Sequence, residues 1–198
     1  MKKIILTLAF SLIFLNSAAA FAQEAPLLGK SHYSAEFDLM FLQHRTFSTD
    51  DGGVFLGLAG YGHLGGNWYL GGEIGVGGGF GLFLVESSSF MPIELNAKRA
   101  FALSPSFVVD VGAGLSYNRV DFSYNPWGTD NDRDVVDWVF GGQIFSGLTF
   151  KAGSFLIGLK FKYQLTADLP EVASLISPED GWDYSNLRIG LLIGFMVP

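Results

Sequence analysis

From Phe155 to Leu165 the side chains alternate in character with a period of two. Phe155, Ile157, Leu159, Phe161, Tyr163 and Leu165 fall on one face, and Gly158, Lys160, Lys162 and Gln164 on the other. That period belongs to a β-strand, because a helix would scatter these residues around its axis. The rhythm returns along the chain. In Tyr33–His44, Tyr33, Ala35, Phe37, Leu39 and Phe41 oppose Ser34, Glu36, Asp38, Met40, Leu42 and His44. In Phe107–Asn118, Phe107, Val109, Val111, Ala113, Leu115 and Tyr117 oppose a small or polar face that includes Asp110. Trp68, Leu70, Ile74, Val76, Phe80 and Leu82 oppose Tyr69, Glu73, Phe83 and five glycines; Ile93, Leu95 and Ala97 oppose Glu94, Asn96 and Lys98. Trp138, Phe140, Ile144, Leu148 and Phe150 oppose Val139, Gln143, Phe145 and Thr149, and Leu187–Phe195 alternates against Asn186, Arg188, Gly190 and Gly194. Val54–Gly62 is a further strand, too rich in glycine for its facing to be read.

In a soluble sheet each apolar face would need a second sheet to cover it. Only 16% of the residues are charged, 15% are aromatic and 26 are glycine, whereas a soluble chain averages about a quarter charged. Beyond the N-terminal run no apolar stretch is long enough for a membrane helix. Each alternating run has the length of a tilted strand that crosses a bilayer, and a charge on the lipid side near the midplane costs about 2–4 kcal/mol. In this register the strands' carboxylates, lysines and Arg188 fall on the face opposite the lipid. The expected fold is all-β: an eight-stranded antiparallel up-and-down transmembrane β-barrel over residues 33–198.

The N-terminus sets the route. Lys2 and Lys3 precede the apolar run Ile4–Leu15, and Ala20-Phe21-Ala22 fits a small-x-small cleavage site, so residues 1–22 read as a secretory signal peptide and 23–32 as a periplasmic N-terminal segment. Losing the two lysines takes the net charge from −7 to −9, which argues against a nucleic-acid partner. With no cysteine, disulfides and a lipid anchor on cysteine are excluded. Short connections at His63–Asn67, Leu103–Ser106 and Lys151–Ser154 suit the periplasmic side. Arg45–Gly52, Val85–Ser89, Arg119–Asp134 and Thr166–Trp182 would face outward, with both termini periplasmic.

Pro92-Ile-Glu-Leu-Asn-Ala97 running into Leu103-Ser-Pro-Ser106, and the closing strand Leu187–Phe195, resemble the small outer-membrane β-barrels, the group of the outer membrane protein A transmembrane domain. The resemblance implies residence in the bacterial outer membrane among phospholipid and lipopolysaccharide. It also implies insertion by the barrel-assembly machinery, with Phe195 as the assembly signal, although Met196-Val197-Pro198 follow it. It implies an architecture rather than an activity.

Eight strands leave a lumen that side chains can fill. Glu36, Asp38, Glu73, Glu94 and Asp110 against Lys98, Lys160, Lys162 and Arg188 make a candidate ion-pair network within it. Met40, Leu42, Phe83 and Val139, with Phe55 beside them, are apolar on the inner face near the outer rim, and the inner glycines Gly71, Gly75, Gly77, Gly79 and Gly81 leave space on one wall. Two functions follow: a non-catalytic structural or interaction barrel, or binding and passage of small hydrophobic molecules, as the outer membrane protein W branch suggests. His44 with Ser48, Asp50, Asp51 and Ser87–Ser89 supplies base, hydroxyl and carboxylate, but no catalytic spacing, so no enzyme is expected. Asp130, Asp132 and Asp134 are weak candidates for a divalent cation, in a run lacking the glycine and distal glutamate of a calcium loop. No cofactor is implied. Asp168-Leu-Pro-Glu171 is a candidate start for a short helix through Ile176.

Overall fold

In the computed structural model, residues 26–42, 52–80, 86–124, 133–169 and 184–198 are described. They form eight strands: β1 (Ser31–Leu42), β2 (Gly52–Gly65), β3 (Trp68–Phe80), β4 (Glu86–Ala102), β5 (Phe107–Tyr124), β6 (Arg133–Ala152), β7 (Phe155–Thr166) and β8 (Asn186–Val197). Each strand pairs antiparallel with the next, and β1 pairs with β8 from Ser31↔Val197 to Leu42↔Asn186, which closes the barrel. Closure removes the free edges that an open sheet would present to lipid.

The alternation becomes two surfaces. On β7, Phe155, Ile157, Leu159, Phe161 and Leu165 are exposed, while Leu156, Lys160, Lys162 and Gln164 are buried. The same apolar exposure runs around the wall through Phe37, Leu58, Leu95, Leu115, Phe140 and Ile193. So much contiguous apolar surface suits lipid and not water.

One end carries the tight turns. Gly66 and Asn67 both have positive φ, 53° and 63°, between the paired residues Gly65 and Trp68. This two-residue geometry matches the twist of the flanking strands, and Asn and Gly tolerate it best. In the β4–β5 turn the Ser104 hydroxyl accepts hydrogen bonds from the Ser106 and Phe107 amides at 3.3 and 3.1 Å.

Several expected boundaries shift. Glu86–Ser89, read as an outer loop, belongs to β4; Arg119–Tyr124 and Arg133–Asp134, read as loop ends, belong to β5 and β6. Ser87–Ser89 are polar throughout, and in Arg119–Tyr124 the apolar Val120 and Phe122 turn inward, so neither stretch shows the outward apolar face that marks the wall. Ser31 and His32 begin β1 two residues before the expected start. Residues 26–30 fold against the short-turn mouth: the Leu28 amide donates to the Tyr69 hydroxyl at 2.9 Å, and Lys151 Nζ donates to the Leu27 carbonyl at 3.1 Å. The glycine-rich β2 also gains a facing, with Phe55, Gly57, Ala59 and Tyr61 inward and Val54, Leu56 and Leu58 outward.

Candidate functional site: the lumen

The lumen is stacked in three layers. At the short-turn mouth Leu28, Ala59, Tyr61, Tyr69, Ala100, Val108 and Leu156 form an apolar cluster. His32 is buried there, stacked on Tyr61 with ring centroids 5.2 Å apart and edge-on to Tyr69 at 5.1 Å. At the other end Met40, Phe55, Phe90, Val120, Phe122, Val139, Leu169 and Tyr184 form a second apolar cluster. Phe90 stacks on Tyr184 at 5.0 Å, and the Tyr184 hydroxyl meets Ser88 Oγ at 2.8 Å.

Between them lies the charge. Inward positions on β1, β3, β4, β7 and β8 bring Glu36, Glu73, Glu94, Lys160, Lys162 and Arg188 to one place. Lys160 Nζ sits 2.5 Å from Glu36 and 2.6 Å from Glu73; Lys162 Nζ sits 2.5 Å from Glu73 and 2.6 Å from Glu94. Arg188 spans the same two acids, Nη1 to Glu73 at 3.3 Å and Nη2 to Glu94 at 2.7 Å. Three carboxylates thus meet three cations, and the charge balances. Desolvating so many ions costs several kcal/mol each, so only dense mutual pairing makes the layer tolerable. Neutral amides complete it: Asn96 and Gln143 donate to Glu94 at 2.9 and 3.2 Å, and Gln164 accepts from Arg188 at 3.0 Å. Aromatic rings shield the cations, with the Arg188 guanidinium 4.0 Å from the Phe55 ring centroid and Lys160 5.5 Å from that of Phe145.

Two other predicted lumen charges form a separate pair. Lys98 pairs with Asp110 at 3.3 Å nearer the short turns, and its ammonium lies 4.3 Å over the Tyr61 ring. Asp38 is buried, yet neither of its oxygens accepts a hydrogen bond from a described residue. Asn96, Gln143 and Gln164 are network members beyond the predicted set, and their inward alternation is the sequence signal that places them. Asp137 is a further inward carboxylate outside that set.

Of the apolar candidates, Met40 and Val139 are packed together in the upper cluster with Phe55. The side chain of Leu42 and all of Phe83 lie outside the described residues, as do Gly81, His44, Ser48, Asp50, Asp51, Asp130, Asp132 and the candidate helix beyond Leu169. The space over Gly71, Gly75 and Gly77 is occupied. A Cβ on Gly75 would strike the Phe55 ring and the Leu56 carbonyl, and one on Gly71 would strike Tyr61. Asp134 is exposed and accepts a hydrogen bond from Ser123 Oγ. Among the described residues no three His, Asp or Glu converge as a metal site would require. Phe195 lies on the outer wall beside Tyr33, with ring centroids 5.4 Å apart.

A closed antiparallel barrel of eight strands, with an apolar wall and tight turns at one end, is the fold of the small outer-membrane β-barrels. No family model and no curated protein matches the sequence. Solved structures do match. Neisserial surface protein A aligns with a TM-score of 0.66 at 10% identity, over 84% of this chain and 97% of its own. Ail, the attachment invasion locus protein of Yersinia pestis, aligns at 0.54 and 15%, over 84% and 99%. A major outer membrane protein from Thermus thermophilus aligns at 0.51 and 14%, over 83% and 99%. At these identities the likeness is one of fold, and the function has to be argued from the lumen.

Proposed function

We propose that this chain is a bacterial outer-membrane protein with a structural or interaction role in the envelope, non-catalytic, whose barrel is shut by its ionic layer. The observation that carries this reading is the six-residue network, whose side chains are buried and mutually paired across the lumen. Apolar clusters above and below keep water from it. In this reading secretion precedes insertion by the barrel-assembly machinery at the Phe195 strand, both termini stay periplasmic, and the outer rim faces lipopolysaccharide. The outer-membrane origin named for the Thermus neighbour supports the location.

A second reading, binding or passage of small hydrophobic molecules, draws on the apolar character of Met40, Phe55, Phe90 and Val139. Their close packing favours the first. The two separate in vesicles that contain the folded protein, with uptake of a small hydrophobic dye measured against protein-free vesicles. The structural reading expects equal uptake. Dye entry that rises with protein content would replace it with the passage reading.

A further inference from the structure

Two arginines stand on the outward face of the wall. On β4 and β5, Arg99 and Arg119 both lie on the outward set of residues, among Ala97 and Phe101 in one case and Tyr117 and Asp121 in the other. Each is paired in register with a tryptophan of the neighbouring strand, Trp68↔Arg99 and Arg119↔Trp138. Arg99 pairs on its other side with Val111, so eight residues of β5 separate the two levels. At about 3.3 Å per residue and a tilt of about 40° this is about 20 Å across the wall. The interval is close to the height of a lipid-facing band, and the arginines therefore mark its two edges.

The edges are neutralised differently. Arg119 holds its own counter-ion, with Nη2 3.0 Å from Asp121. None of the ion pairs among the described residues includes Arg99. Its guanidinium is held instead between two rings, 5.8 Å from the Trp68 centroid and 5.3 Å from the Phe101 centroid. Rings hold the planar ion in place without neutralising it, and its five donors match a phosphate. We propose that Arg99, positioned by Trp68 and Phe101, binds the headgroup phosphate of a glycerophospholipid in the leaflet on the short-turn side. The inference rests on the membrane reading above and adds the residue and the lipid chemistry.

The test is phosphatidylglycerol retained by the full chain when it is released from phosphatidylglycerol-containing vesicles and weighed by native mass spectrometry. Arg99→Gln should lower retention about fivefold, the effect of about one cationic residue at an anionic surface, and Arg119→Gln should leave it unchanged. Inorganic phosphate should not compete, because the site is met at the lipid surface. Equal retention by wild type and Arg99→Gln, or displacement by inorganic phosphate, overturns the inference and leaves the barrel reading intact. If Arg99→Gln does not fold, wild-type retention decides, since it should fall with added salt, and salt-independent retention overturns the inference. A chain that does not enter vesicles overturns the membrane reading and this inference together.

Discussion

Replacing Arg188 with leucine removes the one cation that bridges Glu73 and Glu94 from β8. Three contacts go: Glu73 at 3.3 Å, Glu94 at 2.7 Å and Gln164 at 3.0 Å, together with the guanidinium over Phe55 at 4.0 Å. Lys160 and Lys162 remain, so three buried carboxylates face two cations. Breaking a buried pair by removing one partner costs about 3–5 kcal/mol, because the charge left behind has neither water nor a counter-ion. Arg188→Leu should lower stability by that amount in urea titrations of the lipid-reconstituted barrel. The double variant Arg188→Leu, Glu94→Gln restores the charge balance and should regain at least half of the loss, a coupling that a double-mutant cycle reads directly. A single variant within about 1 kcal/mol of wild type would refute the reasoning, since scattered surface ion pairs contribute no more than that. Additive losses in the double variant would refute it as well.

Asp38 gives the converse case: its carboxylate is buried with no hydrogen-bond donor among the described residues, so Asp38→Asn should raise stability in the same titration by about 1–2 kcal/mol. Gly75→Leu should cost about 1–3 kcal/mol by driving a side chain into the Phe55 ring, and adding Phe55→Ala should recover part of it, as read from the unfolding midpoints. Leu28→Ala should cost about 2 kcal/mol and speed hydrogen exchange at its own amide, which now donates to Tyr69.

The wall was legible because lipid imposes a strict rule on it. Phe155, Ile157, Leu159 and Phe161 can face only one way once Lys160 and Lys162 must avoid the bilayer. Where that rule lapses, so does the reading. Ser87–Ser89 carry no apolar residue, and in Arg119–Tyr124 the apolar residues Val120 and Phe122 turn inward while Asp121 turns outward, so neither stretch shows the outward apolar pattern. In β2, glycines at positions 57 and 60 carry no hydrophobic signal, and the facing comes from pairing with β3, where Phe55 fills the space left by Gly75 and Gly77. The inward charges could be counted from sequence, but their partners could not. Glu73 and Arg188 are 115 residues apart and meet only when the barrel closes. The plug formed by Leu28 was hidden for the same reason, since its contact with Tyr69 and that of Leu27 with Asn67 are set by the geometry of the mouth.

In the proposed function the barrel's own charges close its lumen, and planar-bilayer recording of the folded wild-type protein tests this most directly. With Lys160, Lys162 and Arg188 engaged by Glu36, Glu73 and Glu94 and capped by apolar layers, the membrane current should remain at the level of the bare bilayer across applied voltage. Stable ohmic steps of uniform size, present in the wild type and scaling with salt, would mean a continuous aqueous path through the network and would contradict a closed lumen.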